Sequence, residues 1–155
     1  MTAQTKVEPI RKSLELNCDA QTAFAFYTER LGAWWPFRTH SMGGENTVSA
    51  AMECREGGRL YETLADGTEK VWGRVLHWEP GKRLVHSWHL SREAATEVEI
   101  RFTDTGPGRC RVDLEHRNWE AWGEDVARLR DQYDSGWDKV FGEDYAGFVR
   151  QQMAA

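Results

Sequence analysis

The chain has 155 residues, enough for one domain that buries a core without disulfide staples, and its 40% hydrophobic and 29% charged residues exclude a disordered polymer. A net charge of −5 argues against a nucleic-acid partner, because phosphates are met by basic surfaces. No apolar run approaches the ~20 residues of a membrane helix, residues 1–6 carry no apolar signal core, and Cys18, Cys54 and Cys110 are odd in number with no CxxC, so the sequence reads as a reduced, cytoplasmic protein with no membrane partner and no zinc site. In the first periodic segment Ile10, Lys12, Leu14 and Leu16 alternate with Arg11, Ser13, Glu15 and Asn17, which predicts a half-buried strand. Asp19 offers an N-cap for an amphipathic helix over 20–31, with Ala20, Ala23, Phe24, Tyr27 and Leu31 on one face and Gly32 to end it. Trp34-Trp35-Pro36 predicts a second short helical turn or a tight loop over 33–37, since Pro36 does not fit a helix interior.

From Met42 to Asn118 the punctuation is that of an antiparallel meander, with strands expected near 47–52, 59–64, 69–78, 83–90, 96–103 and 109–117. Gly57-Gly58 breaks the chain, Asp66-Gly67 is read as a two-residue type I′ hairpin, Pro80-Gly81 as a type II turn, and Gly106-Pro107-Gly108 as a further turn. Val98, Ile100 and Phe102 alternate with Glu97, Glu99 and Arg101, and Cys110, Val112, Leu114 and His116 with Arg111, Asp113, Glu115 and Arg117. Such a sheet has one apolar and one solvated charged face, and its apolar face needs one cover. The cover is a helix from about Glu124 to Met153, where Val126, Leu129, Tyr133, Trp137, Val140, Phe141, Tyr145 and Phe148 recur at helical spacing, with a bend expected near Ser135-Gly136.

Leu31-Gly-Ala-Trp-Trp-Pro36 followed by Thr39-His40-Ser41, then Glu56-Gly-Gly58, Pro80-Gly-Lys-Arg-Leu84 leading to Trp88, Glu115-His-Arg-Asn-Trp-Glu120 and Ser135-Gly-Trp137, resemble the motifs of one family. That family is the bacterial proteins similar to the activator of heat shock protein 90 ATPase, within the START and SRPBCC superfamily. The resemblance runs from about residue 8 to 150 of a single domain spanning 1–155. It implies an α+β helix-grip fold: an antiparallel sheet wrapped around a long C-terminal helix, with two short helices after the first strand and a hydrophobic cavity between sheet and helix. Superfamily members include lipid and hormone binders, polyketide cyclases and chaperone activators, so the fold leaves the function open.

Eight tryptophans are the outstanding compositional feature. Trp34, Trp35, Trp88 and Trp137, with Tyr133 and Phe141, converge from three elements and are read as lining a cavity for a small apolar or aromatic ligand, although each alone also fits an ordinary core. Alternation points His86 and His116 inward, where an imidazole can orient a polar ligand group or act as a base; the plainer reading is a core histidine bonded to backbone or to Tyr133. His40 is expected at a loop mouth, as a cap or as a solvated side chain. No nucleophile elbow, phosphate loop, dinucleotide fingerprint or HExxH is present, so no catalytic residue, metal or cofactor is assigned. Three readings follow: a cytoplasmic ligand-binding domain first, a cyclase- or dehydratase-type enzyme using cavity histidines as the alternative, and a chaperone-associated interaction domain as the third. A homodimer partner is compatible with each.

Overall fold

The computed structural model describes residues 7–90, 92–123 and 126–154. The polar segment 1–6 and the expected helix start at Glu124 lie outside the described residues. Seven antiparallel strands form one sheet in the order β1-β7-β6-β5-β4-β3-β2, where β1 is Ile10–Leu16, β2 Thr47–Met52, β3 Arg59–Leu64, β4 Glu69–Glu79, β5 Arg83–Trp88, β6 Thr96–Gly106 and β7 Arg109–Arg117. Helices α1 (Ala20–Thr28) and α2 (Leu31–Trp34) follow β1, and a C-terminal helical run closes the chain. This is the helix-grip arrangement.

The apolar phase of β6 and β7 is buried as expected, from Val98, Ile100 and Phe102 to Cys110, Val112, Leu114 and His116. Lys12 shares the inward phase of β1, and its Nζ reaches Asp134 (2.9 Å) and Asp138 (2.8 Å) on the C-terminal helix, tying the helix to the edge strand. The charged face departs from full solvation at Glu99, which is buried among Arg83, Arg101 and Arg117. Burial alone would push its carboxyl up, but hydrogen bonds from Arg117 and Arg83 hold it below the usual carboxylate range.

Four local expectations are corrected. First, α1 stops at Thr28, and Gly32 lies inside α2 rather than ending α1. A Cβ on Gly32 would collide with the Ala50 carbonyl oxygen, so this glycine permits α2 to sit on β2. Second, the Asp66-Gly67 hairpin is not type I′: Gly67 has φ +90° but Asp66 has no positive φ. Leu64 N–H bonds Thr68 O and Gly67 N–H bonds Leu64 O, giving a three-residue loop with glycine at its left-handed position. Pro80-Gly81 does form the expected type II turn, with Lys82 N–H bonding Glu79 O at 2.9 Å and Gly81 at φ +76°.

Third, β5 ends at Trp88, because His89 and Leu90 both turn their N–H groups to the Trp72 carbonyl and Leu90 adopts φ +53°. Fourth, no break occurs at Ser135-Gly136. Helix α3 runs unbroken from Val126 to Lys139, the wide π turn lies at Val140–Tyr145, and α4 continues over Ala146–Ala154. The extra residue in that turn re-phases the apolar stripe, so Val140, Phe141, Tyr145, Ala146 and Val149 are all buried. Among the described residues, no helix is long and apolar enough to cross a membrane.

Candidate functional site

Between α3, the sheet at β4 and β5, and the loop after α2 lies a cavity of about 380 Å³, within the usual range of ligand pockets. Four indoles form its walls. Trp35 is central, with ring centroids 5.0 Å from Trp72, 5.9 Å from Trp88 and 6.0 Å from Trp137. Leu129, Gln132, Tyr133, Gly136 and Trp137 from α3, followed by Val140 at the start of the π turn, face the cavity as one stripe at three- and four-residue steps. A Cβ on Gly136 would meet nothing within 4 Å, so this glycine leaves the space open.

A buried carboxylate holds the loop side. Glu62 accepts hydrogen bonds from the backbone N–H of Met42 (2.6 Å) and Gly43 (2.8 Å), from the Thr47 hydroxyl and from the Trp72 indole N–H (2.7 Å). Burial would raise its pKa, but these donors bring it below the ordinary carboxylate value, so it stays charged without a cation. Glu62 therefore positions both the cavity wall at Trp72 and the loop carrying Thr39, His40, Ser41 and Met42. His40 is half-buried on the cavity rim, its carbonyl accepting from the Trp35 indole at 2.8 Å.

Of the eight residues read from the sequence as ligand-lining, the structure brings Trp35, Trp88, Tyr133 and Trp137 to the cavity and places Trp34, His86, His116 and Phe141 elsewhere. Trp34 packs on Tyr27 and Tyr145 and bonds the Phe26 carbonyl, while Phe141 stacks on Tyr145. Both rings pack into the core around Tyr145, and Trp34 also backs Trp35 with ring centroids 5.6 Å apart. His116 does point inward, but Trp137 stands in front of it: its Nδ1 accepts from the Trp137 indole (3.0 Å), its Nε2 meets the Thr96 hydroxyl (2.7 Å), and its face lies on Trp119. His86 turns Nδ1 to the Ser87 carbonyl at 3.0 Å, and its buried Nε2 has no hydrogen-bond partner among the described residues. Burial depresses both imidazoles, His86 to about 4, so both are neutral at physiological pH.

Sequence reasoning missed Trp72, Glu62 and Gly136. Trp72 is the extra residue of a bulge, since Leu60 pairs with Gly73 and Tyr61 with Val71, and strict alternation cannot place a bulged side chain. Glu62 left a readable signal, a carboxylate on the inward phase of β3 between Leu60 and Leu64.

Residues 17–143 match the family described as activator of Hsp90 ATPase homolog 1-like protein. No curated protein matches the sequence significantly. Among solved structures, the chain is similar to protein MLL2253 from Mesorhizobium loti, with 17% identity, a TM-score of 0.69 and coverage of 93% of this chain and 98% of that one. It is similar to CalC from Micromonospora echinospora, described as a self-sacrificing resistance protein, with 23% identity, a TM-score of 0.67 and coverage of 93% and 95%. It is 32% identical to the anthrahydroquino-γ-pyrone synthase Txn09, with a TM-score of 0.58 over 82% of this chain and 86% of that one.

Proposed function

The chain belongs to the family of activator of Hsp90 ATPase homolog 1-like proteins, and from that premise we propose that it is a cytoplasmic domain binding a small, flat aromatic molecule between α3 and the sheet. The observation that carries this reading is the chamber of four indoles kept open by Gly136. Indole walls favour ring-shaped apolar ligands, which stack or meet them edge-to-face. The likeness to Txn09, an anthrahydroquino-γ-pyrone synthase, supports an aromatic ligand. The odd, unpaired set of cysteines supports a reducing compartment. A protein-docking reading has less support: among the described residues, the large exposed hydrophobics Val48, Leu76 and Met153 sit on three different elements, β2, β4 and α4.

The same synthase favours a second reading, in which the bound ring system reacts in the cavity. With His86 and His116 off the cavity wall, such chemistry would draw on Tyr133 and the rim residues, not on inward histidines.

Gly136→Leu separates an open chamber from a packed core. Leucine fits a helix better than glycine and would project into the void. In the wild type, a saturating aromatic ligand such as anthraquinone-2-sulfonate should raise the unfolding midpoint, by about 2.7 kcal/mol of stability at a hundredfold excess over Kd. In Gly136→Leu the ligand-free midpoint should hold or rise and the ligand shift should vanish. An equal ligand shift in both proteins would sink the assignment to this cavity.

A further inference from the structure

The hydrogen-bond inventory of the cavity wall says more than its shape, and it deepens the binding reading on which it rests. Each of the four wall indoles carries one N–H, and each spends it on protein. Trp35 donates to the His40 carbonyl (2.8 Å), Trp72 to Glu62 (2.7 Å), Trp137 to His116 Nδ1 (3.0 Å) and Trp88 to the Tyr133 hydroxyl oxygen (3.0 Å). The indoles therefore offer the cavity carbon and π surface but no donor. Met42, Leu90, Leu129 and Val140 offer none either. Tyr133 differs. Its oxygen accepts from Trp88, so its own proton must point away from that indole, and it donates to no protein group among the described residues. Burial raises the phenol pKa, so the hydroxyl stays a donor across the physiological range. A donor that itself accepts from an indole is polarised by that bond and gives a stronger one onward. Of the remaining polar lining groups, Thr39 and Gln132 are exposed, the Ser41 hydroxyl is engaged with the Thr47 hydroxyl and the Gly44 N–H, and His40 Nδ1 meets the Thr39 hydroxyl.

We propose that Tyr133 is the specificity-determining donor of this cavity, and that its ligands are flat aromatic molecules carrying a carbonyl, quinones and aryl ketones, whose oxygen accepts the Tyr133 proton while the rings lie among the four indoles. A hydrocarbon of the same shape fills the indole box but leaves the Tyr133 proton unpaired. A ligand with only donors meets a donor at the same place. Selectivity thus rests on one hydroxyl, and shape rests on the tryptophans.

The test compares anthraquinone-2-sulfonate with anthracene-2-sulfonate, which share ring outline and charge and differ in the carbonyls, by titrating the tryptophan fluorescence of the full chain. The wild type should bind the quinone about three- to tenfold more tightly, the range of one hydrogen bond. Within a Trp88→Phe background, so that no indole N–H is freed into the cavity, Tyr133→Phe should remove that preference. As a second readout, the carbonyl stretch of the bound quinone should move to lower frequency in the wild type and return when Tyr133→Phe is made in that background. The proposal is overturned if both compounds bind the wild type equally, or if Tyr133→Phe in that background keeps the preference and the shifted stretch. In either case the cavity still binds rings and only the role of Tyr133 falls. If neither compound binds the wild type while Gly136→Leu is equally inert, the binding reading itself falls.

Discussion

At the end of the sheet near β1, β7 and β6, Tyr27, Phe102, Phe141 and Tyr145 close on one another and on α1, with Tyr27 5.2 Å from Tyr145 and Phe24 5.2 Å from Phe102, centre to centre. At the β5 and β4 end, Trp35, Trp72, Trp88 and Trp137 are spaced just as closely, yet about 380 Å³ stays open beside them. Aromatic density is therefore not what separates a solid core from a chamber. Two other things do. The solid end is covered by α1, whose Ala20, Ala23, Phe24 and Tyr27 drop into the sheet. The open end is covered by a loop whose backbone N–H groups must be satisfied, and Glu62 holds it at a distance instead of letting it collapse. The indoles there are also tethered through their N–H groups to partners around the wall, so closing the void would break those bonds.

This contrast can be broken at its solid end first. Phe102→Ala removes a ring held between Phe24 and Tyr27 and should cost about 4 kcal/mol in chemical denaturation, the cost of a large cavity in a close-packed site. A loss below about 1 kcal/mol would mean that this end is not packed as described.

Acid probes the groups buried behind the chamber. Both His86 and His116 have folded pKa values below the ordinary 6.5, His86 at about 4, so between those values the unfolded chain binds protons that the folded chain refuses. Stability should therefore fall as pH drops from about 6.5 toward 4, by up to ~3 kcal/mol for His86 alone at 1.36 kcal/mol per unit. Glu62 and Glu99 are likewise held below their ordinary value, and their contribution is lost only as pH falls further, through the acid range. Denaturation curves at pH 7 and 4.5 should show the loss, and His86→Leu should flatten it. A pH-independent wild type would place the imidazoles in water.

Two tyrosines sharpen the comparison most finely. Tyr145, at the solid end, donates to the Ala23 carbonyl at 2.7 Å in a fully buried pair. Tyr145→Phe removes that buried hydrogen bond, although the Ala23 carbonyl keeps its place in the α1 ladder, and should cost about 1 kcal/mol. Tyr133→Phe, at the open end, leaves the Trp88 indole facing a space that water can enter, and should change stability by less than about 0.5 kcal/mol. Equal losses in the two variants would erase the distinction between the ends.

Much of this was legible in the chain itself. Period-two alternation located β1, β6 and β7 and their buried faces, because a strand with one wet face must alternate. The helical stripe through Tyr133, Trp137 and Val140 was equally plain, and so was the family. Local pattern alone did not reveal where each ring ends up. Trp72 reaches the cavity through a bulge that breaks the alternation, and Gly136 reads as a bend in sequence but acts as a missing side chain in space. His86 and His116 point inward as their phase requires, yet a tryptophan from another element stands before one, and the other lies off the cavity wall. Periodicity determines which face of an element is buried, because that depends only on backbone geometry. Whether a buried face meets a neighbour or a void depends on how distant elements are covered and tethered, and only the tertiary structure decides that.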